Sequence, residues 1–399
     1  MLRHLKFSRM ELAGSLGDLG TLLPLAVGFI MINGMNPTGI FVCVGLFYIA
    51  SGLYFKVTCP VEPMKVISAY AIATGVTIAQ IQASCLWVFL ILIILGITGF
   101  ISIIGRYVST PVIRGVQLTV GILLLSQGLH LIMGTSTLQA MQEAAEPYLI
   151  IQNLGPVPVG LILGSVLGLI TLLLLDNRRL PAAVVVVCIG IAVGIFFGTH
   201  EGWSELKLGI NIPVLLPYGL PTIDDFSIAL LILALPQIPM TVGNAVIANA
   251  DLSAQYFPHD GKRVSYKALC ISMAFGNLGS FFLGGMPLCH GAGGLASRYR
   301  FGARTAGSNV IIGGIFLFMG LIFGAQTIII INTLPLSVLG VLLVFAGTQL
   351  ALTILDITTR KDFFVILLIL GITLASNLAA GFLIGIIVAR LLMWDKLTI

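Results

Sequence analysis

Long apolar runs, parted by short polar or glycine- and proline-rich joints, set the pattern of this chain. They fall at roughly 12–31, 38–55, 61–77, 84–105, 111–133, 156–175 and 181–198. A second set follows at roughly 225–248, 267–284, 290–300, 304–325, 334–354, 362–376 and 377–394. The longest polar-rich connection, 199–224, separates seven runs from seven. A helix that crosses a bilayer needs roughly 20 apolar residues, so most of these runs predict spans. The third member of each set is too short, and each is broken at its start. Cys59-Pro60-Val61-Glu62-Pro63 breaks one; Met286-Pro287 with flanking glycines breaks the other. Paired short, interrupted segments at corresponding places in two halves point to a transporter's binding site. An odd number of crossings per set makes the second half enter from the opposite side. The pattern therefore predicts 14 transmembrane segments in a 7+7 inverted repeat, with half-helices at segments 3 and 10.

Composition fixes the class. The 399 residues are 58% hydrophobic and only 9% charged, against roughly 25% charged in an average soluble domain. This is an all-α polytopic membrane protein. The net charge of +5 does not imply nucleic acid, because the bases lie in loops and not on one face. With the N-terminus in the cytoplasm, all but three of the 20 bases fall on the cytoplasmic side, among them Arg106, Arg178, Arg179, Arg298, Arg300 and Arg304. Lys207 alone falls outside, and Lys65 and Arg114 lie within segments. That bias predicts a multi-pass protein of the cell membrane with both termini cytoplasmic. Arg3, Lys6 and Arg9 lead straight into the first span, without a cleavable leader pattern. The six cysteines sit singly in apolar stretches and read as buried small residues, implying neither a disulfide frame nor a metal site. The chain has no G-x-x-x-x-G-K-[ST] and no H-E-x-x-H, and no nucleophile–base set appears. An enzyme is not expected, and no cofactor is implied.

Polar residues at depth carry the candidate chemistry. In His290-Gly291-Ala292-Gly293-Gly294, backbone N–H groups are offered with almost no side chain in the way, and a half-helix follows. A helix N-terminus carries about half a positive charge and free donors, which suits anions. Glu62 and Lys65 flank the start of the first half-helix. They read either as an internal ion pair or as a proton carrier beside a cation that meets the anion. Asp18, with Thr21 beyond it, lies well inside the first run. It is expected either to face a cavity or to bond backbone N–H groups from Gly17 to Thr21. Gln237, Thr241 and Asn244 stand at i, i+4 and i+7 of segment eight. That spacing predicts one helical face, and nearby Pro236 and Pro239 favour a cavity over helix packing. His290 reads more readily as a satisfied structural donor than as a ligand. Arg114 and Gln117, near a helix end, read as structural.

Five blocks together resemble the molybdate transporter family, related to the SulP sulfate permeases. They are G-D-L-G-T-L-L-P (17–24), P-V-E-P-M-K (60–65), P-Q-I-P-M-T-V-G-N-A-V (236–246), M-P-L-C-H-G-A-G-G-L-A (286–296) and L-G-V-L-L-V-F-A-G (339–347). The resemblance implies a core domain (1–110 and 220–325) and a gate domain (111–219 and 326–399). It implies uptake of a tetrahedral oxyanion, molybdate before sulfate or tungstate, by a secondary active transporter in contact with lipid, and leaves room for a homodimer. The candidate substrate contacts, read from the polar groups at depth, are Asp18, Thr21, Lys65, Gln237, Thr241, Asn244 and His290 to Gly294. One departure stands out: the family pattern resembles P-V-Q-P-M-K, whereas the third residue here is Glu62, the candidate for proton coupling. A nucleobase permease or an anion channel on the same scaffold are the alternatives. The chain as given stops at its last helix, so the soluble regulatory domain of typical sulfate permeases is not expected.

Overall fold

A computed structural model describes residues 5–101, 109–175, 177, 181–259 and 261–393. Arg106, Arg178 and Arg179, counted above as cytoplasmic bases, lie outside the described residues, as do Arg3 and Lys396. Among the described residues, six helices are long and apolar enough to cross a membrane: Pro37–Phe55, Ile78–Thr98, Thr110–Met141, Ile223–Tyr256, Ala306–Ile331 and Leu336–Asp356. A seventh crossing is supplied if Arg9–Ser15 and Leu19–Met31, bent by 45° at their junction, count as one. Val159–Leu174, Ala182–Phe197 and Leu378–Leu391 are shorter apolar helices. Start signals are local. Asn36 Oδ1 accepts from Thr38 N at 2.9 Å with Pro37 in the first turn, and Thr77 with Gln80 forms a capping box.

Both predicted breaks are present, and they meet. Proline lacks an N–H and drives the residue before it out of the helical region, so Cys59 to Pro63 and Met286 to Cys289 stay extended. The two stretches pair antiparallel, Glu62 opposite Cys289 and Pro63 opposite Leu288. Met64 N donates to Pro287 O at 2.9 Å. Each break thus supplies hydrogen-bond partners to the other, which is what lets irregular backbone persist at membrane depth. Each then runs directly into a half-helix, Lys65–Thr74 from the first and Ala292–Arg300 from the second. Helices also pair across the halves. Pro37–Phe55 packs on Ala306–Phe318, Ile78–Thr98 on Tyr266–Leu283, and Thr110–Met133 on Leu336–Ala351. In the last pair the contacts are reciprocal. A Cβ on Gly121 would lie 2.6 Å from Gly347 O, and one on Gly128 2.6 Å from Gly340 O. The converse positions are equally tight.

Arg298 corrects an expectation. Counted as a cytoplasmic base, it is fully buried and pairs with Asp18 at 3.1 Å. Its five N–H donors reach Thr58 Oγ1, Ser15 O, Asp18 Oδ1, Ser308 Oγ and Asn309 Oδ1, at 2.9 to 3.2 Å. Asp18 Oδ2 accepts from Tyr48 Oη at 2.8 Å and Val61 N at 3.4 Å. The carboxylate therefore serves Arg298, Tyr48 and the first break, and does not cap the helix that follows it. Other differences are smaller. The second half-helix starts at Ala292, two residues later than the pattern suggests, and segment eight continues to Tyr256. Cys188 is exposed while the other cysteines are buried and free. The connection 199–224 is less polar in effect than its loop position implied: Leu208, Ile210, Ile212 and Val214 all point outward from an extended stretch.

Arg298→Lys should lower the thermal stability of the purified protein sharply. A lysine offers one point charge where five fixed donors are in use, and each buried acceptor left unpaired costs about 1–3 kcal/mol. A melting temperature within a degree or two of the parent would show that this network does not hold the fold.

Candidate functional site

The crossing of the two breaks sits at one end of a cavity of about 970 Å³. Asp18, Thr21, Glu62, Lys65, Asn244, Gly293 and Gly294 line it, as do Leu342, Phe345 and Ala346. Of the candidate site residues, those first seven reach the cavity, and Arg114 and Gln117, read as structural, line it too. Gln237, Thr241, His290, Gly291 and Ala292 do not line it.

Gln237 is turned to a different task. Its Oε1 accepts from Val66 N at 3.0 Å and from Ile67 N at 3.3 Å, while its Nε2 donates to Thr241 Oγ1 at 2.9 Å. It therefore occupies the free donors at the start of the first half-helix, with Thr241 fixing its amide. The reason Asn244 parts company with this pair is the winding. Thr241–Ala248 is π-helical, and each residue there turns through less than the α-helical step. The i, i+4, i+7 face therefore splits. Gln237 and Thr241 stay against the half-helix, while Asn244 is half-buried on the cavity wall with no hydrogen bond among the described residues.

His290 is likewise held away from the cavity. Its Nδ1 lies 2.7 Å from Pro60 O and its Nε2 2.9 Å from Ser272 Oγ. The ring stacks on Phe47 with centroids 4.6 Å apart. Asn249 Nδ2 donates to its carbonyl oxygen. With both ring nitrogens and its main chain engaged, His290 ties the second break to the first.

The second half-helix, by contrast, is uncapped. Gly291 at its N-cap has no side chain to offer, and the N–H groups of Ala292, Gly293 and Gly294 have no partner among the described residues. Gly293 is exposed to the cavity, and a Cβ there would meet only Lys65 Nζ, at 3.9 Å. Lys65 Nζ in turn lies 3.3 Å from Glu62 Oε2. Glu62 is buried, with Thr21 beside it. Its carboxylate fills the space above two glycines: a Cβ on Gly291 would collide with Oε2, and one on Gly294 would lie 2.8 Å from Oε1. An open helix N-terminus, an ammonium group and an unpaired amide thus converge on one pocket wall. Such a set favours an anion that accepts several hydrogen bonds at once. Among the described residues no three His, Cys, Asp or Glu side chains gather as a cation cage would require.

Comparison with known proteins is consistent across sequence and fold. A family profile described as "Molybdate transporter of MFS superfamily" matches residues 10–124 and 229–350. The chain is 31% identical to molybdate transporter 2 of Arabidopsis thaliana, over 96% of this chain and 87% of that one. Among solved structures, the fold is similar to SLC26A9, with a TM-score of 0.64 at 15% identity. That match covers 96% of this chain but 65% of the longer SLC26A9 chain. It is also similar to the transmembrane domain of the cyanobacterial bicarbonate transporter BicA, with a TM-score of 0.62 at 18% identity, covering 96% and 97% of the two chains. The architecture is that of a helical membrane protein with an SLC26-like fold.

The geometry separates two amides that the sequence placed together. Asn244→Ala should weaken oxyanion binding by about 1–3 kcal/mol with little change in melting temperature. Gln237→Ala should instead lower the melting temperature, because it strips the cap from the first half-helix. Isothermal titration and thermal unfolding of both variants would test this. Equal effects of the two on affinity would show that both touch the ligand.

Proposed function

The chain belongs to the molybdate transporter family, and we propose that it imports molybdate as a secondary active transporter. The observation that carries this reading is the uncapped start of Ala292–Arg300 facing Lys65 across the cavity. A tetrahedral dianion placed there accepts N–H groups of Ala292 to Gly294 on one side. Lys65, Asn244 and Thr21 meet its other oxygens. Sulfate and tungstate share the shape and charge and are the competing cargoes. Gly293→Val would fill the approach to the N–H groups and abolish binding. Asp18, Gln237, Thr241 and His290 act behind this shell, holding the two breaks and the first half-helix in place.

Segments 1–7 and 8–14 form, on this reading, an inverted repeat. The antiparallel pairing of corresponding breaks supports it, as do the reciprocal contacts of Thr110–Met133 with Leu336–Ala351. Residues 1–110 and 220–325 make a core that carries the site, and 111–219 and 326–399 make a gate against which the core moves. With the termini in the cytoplasm, the cavity opens to the cytoplasmic side, since Tyr256, Asn177 and Arg300 line it near helix ends on that face. Uptake of labelled molybdate into proteoliposomes, with sulfate and uracil as competitors, tests the cargo. Counterflow separates a carrier from a channel.

Glu62 supplies the coupling. A dianion beside Lys65 draws the ammonium away from Glu62 and repels the carboxylate, so binding anion and binding a proton favour each other. Because the loaded form then holds one more proton than the empty form, lowering the pH favours loading. Uptake should therefore rise as external pH falls from about pH 8 to about pH 5. Glu62→Gln, nearly the same size and shape, should keep binding and flatten the profile. A folded Glu62→Gln protein with the parent's pH profile would rule this coupling out.

A further inference from the structure

The cavity is far larger than one oxyanion, and its far wall is not uniformly apolar. Between Leu342, Phe345 and Ala346 and the mouth it is lined by Arg114, Gln117, Gln349 and Thr353. These come from two helices, Thr110–Met133 and the end of Leu336–Asp356, with one helical turn between the members of each pair. Arg114 Nη1 donates to Gln117 Oε1 at 2.8 Å, and Thr353 Oγ1 lies 3.0 Å from the same oxygen and 2.8 Å from Leu350 O, its one proton shared between them. Gln117 is only 4% exposed. With its oxygen held by Arg114, its amide nitrogen points away and has no partner among the described residues. Gln349 is exposed to the cavity and makes no hydrogen bond among them either. Arg114 reaches Asp356 through Nε at 3.0 Å and through Nη2 at 2.5 Å. That aspartate is 49% exposed.

A tie between helix ends is the plain explanation of the Arg114–Asp356 pair, and it accounts for little. The two helices already interlock along their length through Gly121, Gly128, Gly340 and Gly347. An exposed ion pair adds little stability to such a contact. What the pair does do is hold a guanidinium on the cavity wall beside uncommitted amide donors, with a counter-ion that water can replace. Bidentate geometry of that kind suits any planar edge of two oxygens, whether a carboxylate or a tetrahedral oxyanion.

We propose that Arg114, Gln117, Gln349 and Thr353 form a second, transient oxyanion site on the gate wall of the cavity. At this site the anion displaces Asp356 from Arg114 on its way between the central site and the mouth. The inference rests on the oxyanion-transporter reading and adds a station to its path. Asp356 is then a competitor for Arg114, and its removal strengthens the station while removal of Arg114 destroys it. The two variants must therefore act in opposite directions.

The test is counterflow of labelled molybdate in proteoliposomes of the full chain, read as half-saturation concentration, with melting temperatures taken alongside. Arg114→Gln should raise half-saturation on the order of fivefold, and Asp356→Asn should lower it about threefold, both below the roughly 10–10³-fold that a fully charged cleft can supply. A structural tie predicts that both variants shift in the same direction and melt lower together, and that result overturns the proposal. Should Arg114→Gln fail to fold, Asp356→Asn decides, because it keeps the arginine; an unchanged or raised half-saturation overturns the proposal. Absence of molybdate counterflow in the unmodified protein overturns the transporter reading and this one together. Normal counterflow with concordant variants overturns this one alone.

Discussion

Backbone that leaves a helix inside a bilayer must find every partner within the protein, and here Arg298 supplies the fixed point that makes this feasible. Its five donors gather Ser15 and Asp18 from the bent first segment, Thr58 from the first break, and Ser308 and Asn309 from the helix that follows the second half-helix. Asn309 extends the same network, accepting from Cys59 N at 3.0 Å and donating to Cys59 O at 2.7 Å. A guanidinium and a carboxylate buried alone would each be prohibitively costly. Buried together with Tyr48 and these neighbours they are nearly saturated, and the strands at Glu62 and Cys289 cross where this scaffold holds them.

The crossing yields two half-helices but only one open N-terminus. Gln237 closes the first half-helix with its own amide oxygen, so the partial charge there is already answered by the protein. The second is left bare by Gly291. The proposed anion is therefore held off-centre, by one helix start and by the side chain of Lys65, which issues from the other. A motion that carried the second half-helix relative to Lys65 would alter the site, whereas a motion carrying both together would preserve it. The β pairing and the Arg298 network tie both half-helices together, so the motion proposed for the core would carry the site intact.

Much of this was legible in the sequence where the signal is local. Pro60, Pro63 and Pro287 dictate breaks, and the glycines after His290 dictate an uncapped helix start, because each acts on its own backbone. Signals that depend on distant partners were misread. Arg298 looks like any loop base in a count of charges, and its partner Asp18 is 280 positions away. The shared face of Gln237, Thr241 and Asn244 was a sound inference for an α-helix. It failed because π-helical winding at Thr241–Ala248 has no composition signature. Arg114 and Gln117 were seen as helix-end residues, and only the fold reveals that Asp356 and Thr353 meet them on a cavity wall.

The fit of Glu62 over Gly291 and Gly294 has a genetic consequence. Those glycines leave room for a five-heavy-atom side chain ending in a planar fork, and they are blind to whether the fork carries an oxygen or a nitrogen. Glutamate and glutamine codons differ by one base. A lineage can therefore exchange an ionisable group for a neutral one at the heart of the site without repacking anything around it. Larger steps, such as aspartate or leucine, would open a void or strike the glycine backbone, and selection would meet them first as folding defects. On the proposed coupling through Glu62, the energy source of the transport cycle would be the most easily rewritten property of the protein, while the frame that surrounds it would be among the hardest to change.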